Sequence, residues 1–363
     1  MLKNKKIIYL LVSLLVSFFI FFGLEERQEN QTEVSFWKKD WSTIRFLPPK
    51  ETWCGKNEPT LFPMPIQMEK ISRGWRGNPL FKLTQLDGKT KEQVFYEANY
   101  NVKNLFTDLS VLKTKSEELT EGIDLQKLCL SEDAPTLLLS LDSIPFDQEI
   151  NGSFLRFGNK LGSDETRILA LADNRIVSPY QYLIDKFKGE SHSLRERQFI
   201  NYNGGFIQYI ELNGEGQRIR IENSAKKNQY DTYVNEWSRP TDERIVLSPS
   251  IGNDWETKLK SLRADLYLDE PQAPSYVSGK SSAKEKAIYT IEVGHSESYR
   301  WKLYFYDTVQ TEQGMFRLAQ REFLGHFLEN HSLVKEEQFS AFLRAATEVK
   351  NASRFERPNQ KIQ

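Results

Sequence analysis

Short runs in which apolar and polar residues alternate cover much of this chain, and a few longer runs switch to helical spacing. Residues 41–46 (WSTIRF) and 81–86 (FKLTQL) alternate with the period of two that sends successive side chains to opposite faces of a strand. Val102, Leu105, Phe106, Leu109 and Leu112 recur every three or four positions, which is one apolar helix face. Residues 136–144, 153–157 and 167–171 read as β-segments separated by Asp, Asn and Gly. Ser178 and Pro179 have the form of an N-cap and first helical position, ahead of an apolar stripe of Leu183, Ile184 and Phe187. After the turn signal Asn203-Gly204-Gly205, strands at 206–212 and 217–221 flank Asn213-Gly214 and predict a hairpin with a loop slightly longer than two residues.

A similar order then returns. Residues 230–237 are strand-like, and Ile251, Trp255, Leu259, Leu262 and Leu266 predict a second amphipathic helix, closed by Pro271 and Pro274. Residues 287–293 and 299–306 predict a strand pair with Trp301, Leu303 and Phe305 on one face, followed by a strand at 315–318. Phe323, Leu324, Phe327 and Leu328 read as helical, and Phe339, Phe342, Leu343 and Ala346 predict a last helix. His192-Ser193-Leu194 before Gln198-Phe199 matches His331-Ser332-Leu333 before Gln338-Phe339. With the recurring element order, this match at an offset of about 140 positions predicts an internal duplication. The fold expected is α+β, an N-terminal transmembrane helix followed by two similar α+β halves with mainly antiparallel sheets, residues 36–200 and 201–350, and a flexible tail at 351–363.

The longest apolar run stands at the start. Fourteen of the eighteen residues 7–24 are Leu, Ile, Val or Phe, and none is charged. Insertion of such a run is favoured by roughly 4 to 8 kcal/mol before its polar members subtract. Lys3, Lys5 and Lys6 precede it while Glu25, Glu26 and Glu29 follow it, the asymmetry that keeps the N-terminus in the cytoplasm. No small-x-small cleavage site follows Phe22, so an uncleaved signal anchor is favoured over a cleaved signal peptide. The expectation is a single-pass protein of the cytoplasmic membrane, with residues 1–24 as stub and anchor, 25–35 as linker, and the globular part on the periplasmic or extracytoplasmic side.

Composition adds bounds. Among 363 residues, 39% are apolar and 12% aromatic, enough to build cores. A formal net charge of −1 gives no global field for nucleic acid, and no nucleic-acid partner is expected. The densest basic spots are Lys226-Lys227 and the 280–286 loop (KSSAKEK). Cys54 and Cys129 exclude a four-cysteine zinc site. They are candidate disulfide partners, and two separate buried thiols explain them about as well.

Catalytic signatures are missing. The four histidines, His192, His295, His326 and His331, form no HExxH or HxH pattern, and no GxSxG or phosphate-loop motif occurs. Asp142, Asp147 and Glu149, and the pair Asp242-Glu243, are carboxylate clusters that 50 acidic residues produce by chance. No catalytic, cofactor-binding or metal-binding residue is assigned, and no cofactor is expected.

Residues 166–187 (TRILALADNRIVSPYQYLIDKF), 194–200 (LRERQFI) and 206–223 (FIQYIELNGEGQRIRIEN), with Trp237 and the helix of Leu259 and Leu262, resemble the bacterial family called domain of unknown function 4340. DWSTIRF (40–46) after the apolar run is similar to that family's opening. The chain differs by the region 48–77 and by its two cysteines. The resemblance implies an anchored envelope protein, a non-enzymatic scaffold or auxiliary subunit of a membrane transport or surface assembly. Its partners would be the lipid bilayer, through the N-terminal helix, and an envelope protein such as an ABC-type transporter. An anchored hydrolase using an Asp/Glu pair on an envelope polymer is the alternative.

Overall fold

The computed structural model describes residues 33–54, 61–73, 79–86, 93–115, 117–119, 122–161, 164–200, 207–227, 233–240, 244–270, 273, 287–296, 299–323, 326–327 and 332–355. In chain order the first strands are β1 (Val34–Lys38), β2 (Thr43–Leu47), β3 (Ile66–Arg73), β4 (Pro79–Leu86) and β5 (Gln93–Glu97). Helix α1 (Tyr100–Ser110) leads to β6 (Val111–Thr114) and β7 (Glu117–Leu119). Next come β8 (Thr136–Ser140), β9 (Ser153–Leu161), β10 (Asp164–Ala172), β11 (Arg175–Val177), the short helix α2 (Tyr182–Asp185) and a 3-10 turn at Ser191–Leu194. A run of strands follows: β12 (Tyr209–Gly214), β13 (Gln217–Asn223), β14 (Lys226–Lys227), β15 (Tyr233–Val234), β16 (Trp237–Arg239) and β17 (Ile245–Val246). Helix α3 (Pro249–Ser261) then precedes β18 (Leu266–Tyr267), β19 (Tyr289–Ser296) and β20 (Tyr299–Thr311). The last elements are β21 (Gly314–Phe323), β22 (His326–Phe327), β23 (Ser332–Lys335) and α4 (Glu336–Asn351).

The chain forms two compact units that interleave in sequence: Met1–Pro63 with Asn104–Asp142 and Ile150–Lys188, and Met64–Lys103 with Ser143–Glu149 and Gly189–Gln363. In the first unit the strands run in the order β2-β8-β9-β10-β11-β7, and β1 pairs with β6. Phe46 of β2 stacks on Phe187 at 4.4 Å, and Phe62 meets both rings edge-on, so three aromatics of distant sequence close one core. The indole N–H groups of Trp37 and Trp41 both donate to the Leu109 carbonyl, at 2.7 and 2.9 Å. This is how two early tryptophans serve the core: they fill it and satisfy a carbonyl in the last turn of α1. Arg167, 1% exposed, lies over the Tyr180 ring at 3.6 Å and pairs with Glu33, which also accepts from the Tyr180 hydroxyl.

The Cys54–Cys129 disulfide also lies in the first unit, with Cα atoms 5.5 Å apart. Around it Trp53 donates its indole N–H to the Cys129 carbonyl at 2.9 Å, and Trp53, Cys129 and Ala134 share one small core. Lys50 and Thr52 both reach the Asp133 carboxylate, at 3.1 and 2.7 Å. Their hydrogen bonds, that of Thr52 foremost, hold the Asp133 carboxyl below its ordinary range.

The second unit contains the antiparallel run β3-β4-β5 and a ten-stranded sheet in the order β17-β16-β13-β12-β19-β20-β21-β23-β18, with β22 beside β21. The middle of strand β20 is buried on both faces. Trp301, Leu303 and Phe305 are at most 2% exposed, and Phe305 meets Phe339 of α4 at 4.3 Å. Phe342 of the same helix stacks on Trp255 of α3 at 5.6 Å, so both helices pack through one aromatic column. On the opposite face Tyr304 and Tyr306 join Val309, Phe316, Leu318 and Leu333 in a second cluster. Burial of both sheet faces is confined to residues 303–306, where the alternation gives way to the consecutive buried run LYFY.

Several expectations are corrected. The chain is not α+β with two similar halves; it is mostly β, with four α-helices among the described residues. Part of the reason is that short apolar runs carry no clear period. Phe323 and Phe327 lie in β21 and β22 rather than in a helix, while Leu324 and Leu328 lie outside the described residues. The repeated His-Ser-Leu match does not repeat in structure either: Ser193 and Leu194 sit in a 3-10 turn, Ser332 and Leu333 in strand β23, and His331 lies outside the described residues. Leu112 and Leu266, placed in helices by their spacing, belong to strands β6 and β18, beyond the ends of α1 and α3. The turn signal at 203–205 and the prolines Pro271 and Pro274 also lie outside the described residues.

The transmembrane helix and the single-pass placement at the cytoplasmic membrane are corrected as well: no helix among the described residues is long and apolar enough to cross a membrane. Helix α4, the longest of them at 16 residues, spans about 24 Å against roughly 30 Å of hydrocarbon, and it turns acidic and basic residues outward. The apolar run at 7–24 lies outside the described residues.

The hairpin of β12 and β13 is tighter than its sequence predicts. Gly214 pairs with Gln217, leaving a two-residue loop of Glu215 and Gly216, both at positive φ (48° and 73°). Two left-handed residues match the twist of a short hairpin, and the glycine adopts that conformation without steric cost.

Candidate functional site

The outward face of this hairpin is densely charged. Along β13, Ile219 and Ile221 are buried, so the strand's alternation places Arg218, Arg220 and Glu222 on the other side. Register sets Arg220 opposite Glu211 of β12, and Glu211 opposite Glu292 of β19. Glu211 accepts from Arg218 Nε and Nη2 at 3.0 Å, from Arg220 Nη1 at 3.1 Å and from Asn213 at 2.9 Å. Burial alone pushes the Glu211 carboxyl up, but these hydrogen bonds outweigh it and hold the group below its ordinary value. Arg220 spends its other donors on Glu222, at 2.9 and 3.0 Å. Beside them Tyr209 donates to Glu292 at 2.6 Å, and burial together with that carboxylate pushes the phenol up to about 12. A Cβ at Gly294 would come within 2.1 Å of the Tyr209 ring, so the glycine is what lets this ring lie across the strand.

Arg218, Arg220, Glu222, Arg239, Pro240 and Lys350 line a cleft of about 450 Å³ beside this face. Arg239 comes from β16 and Lys350 from the last turn of α4. The Arg239 guanidinium donates to the Lys350 carbonyl and, at 2.6 Å, to the Ala352 carbonyl, so it caps the helix end. Lys350 Nζ donates to Gln217 at 3.0 Å. Four cations thus stand near two carboxylates, Glu211 and Glu222, leaving two positive charges uncompensated by side chains in the described face. The two helix carbonyls, which would otherwise give the cleft a negative wall, are covered by Arg239.

A second ionic cluster in the same unit has a different character. Arg195, 2% exposed at its side chain, forms a fork on Asp269 at 2.6 and 2.7 Å and lies over the Tyr96 ring at 3.8 Å. Arg197 pairs with Glu270 at 2.8 Å. Arg321, with no exposed side-chain surface, donates to the Gln198 and Glu196 carbonyls at 2.8 and 3.1 Å and pairs with Glu97. Here the guanidinium groups are directed into the fold, which makes this a structural knot.

The candidate residues read from sequence that are described take the following places. Cys54 and Cys129 are bonded to each other in the first unit. His192 contacts Glu190 at 2.9 Å, while His295 and His326 fall in strands β19 and β22. No group of His, Cys, Asp and Glu suited to a metal ion occurs among the described residues. Asp142, Asp147 and Glu149 are exposed, and Asp242-Glu243 and the 280–286 loop lie outside the described residues. Sequence reasoning missed Arg218, Arg220, Arg239 and Lys350. The alternation QRIRIEN places two of them on one strand face, but Arg239 and Lys350 are 111 positions apart and meet only through the fold.

No family model matches the chain, and no curated protein or solved structure matches it either. The likeness of residues 166–270 to domain of unknown function 4340 therefore stands as a resemblance only.

Proposed function

We propose that this chain is a non-catalytic binding protein, an auxiliary subunit of a larger assembly, and that the cleft of Arg218, Arg220, Arg239 and Lys350 is where it engages a partner. The observation that carries this reading is the contrast between the two ionic clusters. Arg195, Arg197 and Arg321 are consumed in holding the fold together, whereas the cleft keeps an excess of positive charge at a solvent-facing surface. The exposed charges of Arg218 and Lys350 contribute little to folding, since exposed pairs typically stabilise by about 0 to 1 kcal/mol. It contributes more to orienting and retaining an acidic partner. Of the carboxylates offered for a hydrolase, Asp142, Asp147 and Glu149 stand exposed, which lends that alternative no support.

A photo-crosslinking amino acid placed at Arg218 in the cell that makes the protein tests this directly. A control position is Leu141, 55% exposed in the first unit. Position 218 is expected to give a discrete adduct absent at position 141. Identical patterns at both sites, or no adduct at 218, would refute the cleft as the point of engagement.

A further inference from the structure

We propose that the group held in this cleft is a phosphate, bound as the dianion of inorganic phosphate or of a phosphomonoester. The inference deepens the binding reading above and rests on it. The charge balance comes first: the two uncompensated cations call for two negative charges, which one phosphate dianion supplies and one carboxylate does not.

Donor geometry comes second. Among the described residues, two exposed cleft donors retain spare hydrogens: Arg218 Nη1, whose sister atoms Nε and Nη2 both serve Glu211, and Lys350 Nζ, which spends one hydrogen on Gln217. They come from a strand of the hairpin and from a helix end, two separate elements of the fold. A tetrahedral oxyanion accepts from several directions at once, while a planar carboxylate is matched by a single guanidinium fork. Glu222 also lines the cleft, but its carboxylate is engaged by Arg220 at 2.9 and 3.0 Å and cancels that guanidinium instead of opposing an incoming anion.

The test is calorimetric titration of the full chain at constant ionic strength with inorganic phosphate, phenyl phosphate and acetate. The first two are expected to bind saturably and acetate not to. Tighter binding of phenyl phosphate identifies a phosphomonoester as the natural group, and tighter binding of inorganic phosphate identifies the free ion. Arg218→Gln and Lys350→Gln are each expected to weaken phosphate binding about tenfold, the size of one lost charge-assisted contact. Lys302→Gln removes a half-buried cation that lies outside the cleft and pairs with Glu292, and is expected to leave binding within about twofold, since its charge is already countered there. The proposal is overturned if acetate binds as well as phosphate, or if Lys302→Gln weakens binding as much as Arg218→Gln. Absence of saturable phosphate binding, with the adduct at position 218 still forming, would also overturn it while leaving the binding reading intact.

Discussion

Reduction of the Cys54–Cys129 bridge is expected to lower the unfolding free energy by about 4 kcal/mol, the chain-entropy value for a closed loop of this size. The bonded residues are 75 positions apart, so the bridge removes a large loop from the freedom of the unfolded chain. On the folded side the loss is not relieved by local rearrangement, because Trp53 and Cys129 are buried together and Lys50 and Thr52 already tie the same segment to Asp133. Urea unfolding of the oxidised protein and of the Cys54→Ala, Cys129→Ala double variant gives the difference. A change under about 1 kcal/mol would mean that the reduced chain keeps this loop closed without the bond.

Asp269→Ala is expected to cost about 3 to 5 kcal/mol, the typical penalty for leaving a buried charge without its partner. Arg195 is almost wholly buried, and Asp269 takes both arms of its guanidinium. Burial pulls the Arg195 guanidinium toward neutrality, and the Asp269 hydrogen bonds, with the neighbouring Tyr96 and Tyr267, more than restore its basicity. The same physics makes the pair replaceable as a unit. An Arg195→Met, Asp269→Leu double variant should recover most of the loss, because both charges leave together and the aromatic walls of Tyr96 and Tyr267 remain. Unfolding curves of the two single variants and the double variant decide this. Additive losses would show that Arg195 and Asp269 act independently.

Much of the strand content was legible because alternation is a local signal. The runs at 41–46 and 81–86 became β2 and β4, and 299–306 became the start of β20. Helices were legible where an amphipathic stripe ran long enough, as in α1, α3 and α4. Period failed where a run was short: Phe323 and Phe327 fit helical spacing by coincidence and pair as strand instead. Ser178-Pro179 has the composition of a helix start, but α2 begins only at Tyr182 and takes Gln181 as its N-cap, without a side-chain cap bond.

The cleft was half legible. Arg218 and Arg220 share a strand face that any reader of QRIRIEN could place, and their carboxylate Glu211 follows once the hairpin register is known. What composition hides is the meeting of that face with Arg239 and Lys350, which depends on β16 joining the sheet beside β13 and on where α4 ends. A near-neutral chain can still carry a concentrated local charge when its ion pairs are unevenly distributed. A linear count of lysines points instead to 280–286, because it registers density along the chain and not convergence in space.

If the cleft, rather than an enzymatic centre, carries the function, the most direct test is the Arg218→Glu, Lys350→Glu variant of the full chain. Native electrophoresis follows the complexes it forms in the producing cell, and thermal unfolding follows the purified protein. Loss of the native complex is expected, with an unfolding temperature changed by only a few degrees, as for exposed charges. Retention of the complex by the stably folded variant would contradict it.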